Sequence, residues 1–86
     1  MPEISRFYGI IIRMFYFEHE PPHFHAQYEE FNAQISITTG EIMNGTLPSR
    51  VLSLISEWIE LHRDELIKNW HLIQSEKKPE KIEPLR

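Results

Sequence analysis

The sequence predicts an α+β domain: an antiparallel β-meander of four to five strands followed by two C-terminal helices packed on one sheet face. Three observations carry this. Residues 4–43 fall into short runs rich in β-branched and aromatic residues, separated by turn formers. Two of those runs alternate apolar and polar residues with period two. From Val51 onward the period changes to that of a helix.

Each element has its own justification. Ile4 to Phe17 is broken by Gly9, which suggests a short strand, a turn at Tyr8-Gly9, and a longer strand from Ile10 to about Phe17. Ile10, Ile12, Met14 and Tyr16 share one face of it; Ile11, Arg13, Phe15 and Phe17 share the other. Two largely apolar faces mark a central strand, on which Arg13 needs a partner. Next, His23, His25 and Gln27 alternate with Phe24, Ala26 and Tyr28, and Phe31 to Thr38 alternate in the same way. A hairpin turning at Glu29-Glu30 pairs Tyr28 with Phe31, Phe24 with Ile35, His25 with Gln34 and His23 with Ser36. That register puts the histidines on the polar face and Phe24 in the core.

Thr39-Gly40 is a turn, followed by a strand around Glu41–Met43 and a second turn at Asn44-Gly45. Pro48 suits the first turn of a helix. Val51, Leu54, Ile55, Trp58 and Ile59 form an apolar stripe, continued by Leu66, Ile67, Trp70 and Ile73. The polar stretch His62-Arg63-Asp64-Glu65 between them is either a kink or a tight junction with Asp64 capping a second helix, and two helices are the expectation. Residues 1–75 thus make one domain. Residues 76–86, with Pro79 and Pro84, make an extended tail, mobile unless Ile82 and Leu85 dock.

Composition narrows the function. The 86 residues are 41% hydrophobic, enough for one modest core. The chain has no cysteine, which removes disulfides, thiolate nucleophiles and zinc ribbons. Residues 1–75 hold five Lys/Arg against ten Asp/Glu, net −5, and residues 76–86 hold four against three, net +1. An acidic body does not bind duplex DNA non-specifically. No apolar run is long enough for a bilayer and Met1-Pro2-Glu3 is no secretory leader, so no membrane is expected and the cytoplasm is the expected location.

The chemistry concentrates in the three histidines of Phe17-Glu18-His19-Glu20-Pro21-Pro22-His23-Phe24-His25. Imidazole titrates near neutrality, moves protons and ligates metals. His23 and His25, two apart on a strand, point the same way about 6–7 Å apart, within reach of one metal. His19 is the third candidate ligand, folding back across the prolines, which makes His19, His23 and His25 a candidate site for zinc or another divalent ion. Glu29 completes a cupin-like spacing but lies about 20 Å from His23 along a straight strand. Alternatively His23 and His25 are catalytic candidates, base and acid on a phosphodiester, with Arg13 or Arg50 stabilising phosphate charge. The third reading is a wet sheet face, with the rings bonded to Gln34, Ser36 or backbone carbonyls. Sequence alone leaves all three open.

The chain resembles a small prokaryotic family named domain of unknown function 4160. The resemblance rests on Pro2 to Ile10, Pro21-Pro22-His23-Phe24-His25, Gly40-Glu41-Ile42, Leu47-Pro48, Trp58 to His62, Asn69-Trp70 and Lys81 to Leu85. It implies a toxin–antitoxin-like component whose partner is a small protein encoded nearby, or a second copy of the chain. On that basis the expectation ranked first is a partner-binding module using the helices or the exposed sheet face. The alternative is a small ribonuclease, phosphodiesterase or metal-binding protein using His23 and His25, with RNA as its partner.

Overall fold

The structure, a computed structural model, describes residues 2–86. Five strands, β1 (Glu3–Phe7), β2 (Ile10–Arg13), β3 (His23–Tyr28), β4 (Phe31–Ser36) and β5 (Ile42–Gly45), form one antiparallel sheet in sequential order. The helix α1 (Ser49–Gln74) follows. The hairpin register matches the expected pairs: Tyr28 faces Phe31, Phe24 faces Ile35, His25 faces Gln34 and His23 faces Ser36. The Tyr8-Gly9 turn has positive φ at both residues (50° and 79°), which matches the twist of a two-residue hairpin.

Three expectations need correction. The long strand after Gly9 ends at Arg13 and lies second from the edge, while β3 is central. Arg13 sits opposite His25, so residues 15–17 would have to pair with His23, Pro22 and Pro21. Two of those three lack an N–H, and the ladder stops. The Asn44-Gly45 turn is instead the end of β5, where Gly45 pairs with Ala33. Gly45 has φ 85°, and a Cβ there would collide with the Asn32 carbonyl oxygen and stand 2.9 Å from Ala33 Cα.

The third correction concerns the two helices. One helix runs through, and its backbone leaves helical angles at His62 (φ −130°, ψ 21°). Asp64 caps nothing. Residues 49–74 contain no Gly or Pro to stop the helix. The apolar stripe also stays in phase across the kink, with Ile59 and Leu66 seven residues apart and both buried.

The helix covers one face of the sheet. Trp58 packs between Phe7 and Phe24, with ring centroids 5.1 and 5.9 Å away, above a floor of Ile10, Ile12, Ile35 and Ile37. The stripe from Val51 to Trp58 is therefore internal. A left-handed Glu76 (φ 60°) closes the helix end: Glu76 N–H donates to the Ile73 carbonyl and Lys77 N–H to that of Leu72. The tail then turns back and docks. Asn69 donates to the Glu80 carbonyl and accepts from its N–H, both at 2.8 Å. Ile82 N–H donates to the Ile4 carbonyl on β1, Trp58 donates to the Glu83 carbonyl, and Ile82 and Leu85 are buried.

Candidate metal centre

His23 and His25 leave β3 on the face opposite Phe24, as strand parity requires. The two rings have different surroundings. His25 is about a quarter exposed, with Phe15 edge-on at 4.4 Å. His23 is 5% exposed and packs on Trp70 at 5.2 Å, so this part of the polar face is covered rather than wet. Trp70, in the last turns of α1, provides that cover.

The side chain that joins the two histidines is Glu18. Its Oε1 lies 2.6 Å from His25 Nε2 and 3.1 Å from His23 Nε2. Ligand atoms from Glu18, His23 and His25 all fall within 4.8 Å of one another. His19 is exposed and outside this group. Arg13 finds its partner in Gln27, donating from Nη1 at 2.7 Å, while Arg50 is exposed in the first turn of the helix.

Glu18 is carried on the connection between β2 and β3, and the helix fixes that connection. Gln74 donates its side-chain amide to the Glu18 carbonyl at 3.0 Å, and Trp70 Nε1 donates to the Glu20 carboxylate at 3.2 Å. Phe17, with φ 66°, turns the chain immediately before Glu18. Nothing in the local sequence announces that turn. The available signal was weaker: an acidic residue five positions before His23, in a segment that must reverse direction between two antiparallel strands.

Hydrogen bonding assigns the tautomer of His23. Its Nδ1 is 2.8 Å from the Pro21 carbonyl oxygen, which can only accept, so Nδ1 carries a proton. In the neutral ring Nε2 is then a bare lone pair, aimed at a carboxylate oxygen that is also an acceptor. Either a proton, on the ring or on the carboxyl group, or a metal ion stands between them. A single divalent ion satisfies the two Nε2 lone pairs and the carboxylate oxygen together. A backbone carbonyl on the remote ring N–H is also the usual way a histidine ligand is oriented.

A family profile described as a domain of unknown function, DUF4160, matches residues 9–71. The chain belongs to that family. The match includes Glu18, His23, His25 and Trp70 and stops before Gln74. No curated protein and no solved structure matches this DUF4160 member. Among its described residues no helix is long and apolar enough to cross a membrane.

Proposed function

We propose that this protein binds one divalent transition-metal ion through Glu18 Oε1, His23 Nε2 and His25 Nε2. The single observation that carries the reading is the convergence of both Nε2 atoms on one carboxylate oxygen, with His23 Nδ1 already bonded to Pro21. Tetrahedral ligands at 2.0–2.1 Å from zinc lie roughly 3.4 Å apart, so a small outward adjustment admits the ion. Two imidazoles and one carboxylate suit zinc or ferrous iron, and three protein ligands leave coordination positions for water or substrate. A bound water would then be acidified and delivered on the His25 side, which is the exposed side.

Two-imidazole acid–base chemistry fits less well. Base and acid must stand on opposite sides of a reacting phosphorus, whereas these rings aim at one oxygen and one of them is buried. The Val51–Trp58 stripe, one of the features behind the partner-binding reading, packs on the sheet, so a partner would use other surface, such as that around the exposed Tyr8, Phe17, Met43 and Leu61.

The test is metal uptake by untagged, chelator-stripped protein titrated with zinc and measured by elemental mass spectrometry after desalting. One ion per chain is expected, and none in the His23→Ala, His25→Ala double variant. Uptake that is unchanged in a folded double variant contradicts the reading.

A further inference from the structure

We infer that the metal centre and the sheet face beside it bind a nucleoside monophosphate unit. The phosphate is held between the ion and Arg13, and the base lies in an adjoining groove of side-chain amides. This rests on the metal reading above and adds the ligand class.

Arg13 is the first observation. It stands directly opposite His25 in the β2–β3 ladder, which puts the two Cβ atoms about 4.5–5.5 Å apart. Its guanidinium is half-buried and makes one hydrogen bond, to Gln27. Among the described residues no carboxylate is within ion-pair distance of it. Glu3, opposite it on β1, is hydrogen-bonded by Arg6, and that bond, with the charges of Arg6, Lys81 and Arg13, holds the Glu3 carboxyl below the ordinary carboxylate range. Gln27 lies two residues beyond His25 on the same face of β3, so a swing of the guanidinium from Gln27 toward His25 would give an oxyanion a second grip next to the ion.

The second observation is the groove. On the other side of His25 an open depression of about 250 Å³ is lined by His25, Asn32, Gln34 and Asn44. Gln34 stands opposite both His25 and Asn44, so Arg13, His25, Gln34 and Asn44 form one row across four strands. With strands about 4.8 Å apart, that row spans roughly 14 Å. Among the described residues these three amides make no side-chain hydrogen bond. Neutral amides offering donors and acceptors together are the groups that read the edges of a nucleobase.

Charge placement agrees. With a divalent ion bound, this face carries the ion, Arg6 and Arg13 against Glu3, Glu18 and the Glu20 carboxylate held by Trp70. Other carboxylates lie elsewhere, among them those of the Glu29-Glu30 turn and the outer surface of the helix. The acidic body thus presents one face suited to an anion.

The experiment is calorimetric titration of zinc-loaded full-length protein, its zinc content measured on the same sample. The ligands are each of the four nucleoside 5′-monophosphates, the matching nucleosides, ribose 5-phosphate, and a single-stranded RNA decanucleotide. At least one monophosphate should bind roughly tenfold or more tightly than its nucleoside and than ribose 5-phosphate. Arg13→Gln should weaken that binding roughly ten- to hundredfold while zinc uptake is unchanged. Arg13→Lys, which keeps the charge but not the planar fork, should fall between and serves if the glutamine variant does not fold. The Gln34→Ala, Asn44→Ala double variant should bind the monophosphate no better than ribose 5-phosphate. Tighter binding of the decanucleotide assigns the unit to a strand, and tighter binding of the monophosphate assigns it to a free nucleotide. Loaded protein that binds monophosphate no better than nucleoside, or equally well with Arg13 replaced in a folded variant, overturns the inference and leaves the metal centre standing. Protein that takes up no zinc removes both.

Discussion

At the residue scale the centre depends on which side chains hold the ion and which hold those side chains. Glu18→Ala and His25→Ala each remove a ligand, whereas His19→Ala removes an exposed ring outside the group. Zinc affinity measured by competition with a chromophoric chelator should drop in the first two and stay the same in the third. Gln74→Ala removes only the hydrogen bond that holds the Glu18 backbone, and should cost roughly ten- to hundredfold in affinity, as supporting contacts do. A drop for His19→Ala that equals that of His25→Ala would refute the assignment. His23 and His25 were legible in the sequence, because parity on a strand fixes the direction of side chains. Glu18 was not: its approach depends on the backbone at Phe17 and on Gln74, which is 56 residues away in the chain.

At the scale of elements, the hairpins were the most legible part. Turn residues and alternation fix the register together, and the β3–β4 pairing follows from them residue by residue. Positions where a periodic pattern meets a long-range constraint were not legible. The polar interval at His62 looks like an end, but the stripe resumes in phase and the helix continues through a kink. Asn44-Gly45 looks like a turn, but the glycine is needed in β5 because the Asn32 backbone leaves no room for a Cβ. Gly45→Ala should therefore destabilise the fold by about 1–3 kcal/mol, or more if β5 detaches, as read from urea denaturation. Asn69 is buried in the helix and joined to the Glu80 backbone by two hydrogen bonds. Asn69→Ala leaves both Glu80 groups without that partner and should cost about 1–3 kcal/mol. Hydrogen exchange should quicken from residue 79 to 86 and at the Trp58 indole. Protection in the tail that does not change would show that Ile82 and Leu85 hold it unaided.

For the whole molecule, composition and periodicity fixed the class and the layering: one sheet, a helical layer on one face, the other face open. They could not show that the helix end wraps round to bury His23 under Trp70, since that depends on helix length and kink rather than on any motif. The same wrap ties the ligands to the fold as a whole. Glu18 precedes β3, both histidines lie in it, and α1 braces the connection. Metal that binds the folded chain should therefore stabilise it, by about 2.7 kcal/mol when free ion is at 100 times its Kd, and thermal unfolding with and without zinc reads this directly. Acidification should reverse the gain. Protons compete with the ion for imidazole nitrogen, so the zinc-dependent rise in Tm should shrink as pH falls. A rise that is independent of pH would point to ligands other than histidine.

The most direct measurement is imidazole nitrogen NMR of the 15N-labelled protein during zinc titration. The account predicts that the Nε2 resonances of both His23 and His25 shift and saturate at one equivalent. Nδ1 of His23 stays protonated on the Pro21 carbonyl, and His19, His62 and His71 are unchanged. Saturation through His23 Nδ1, or shifts in His19 with His23 silent, would contradict it.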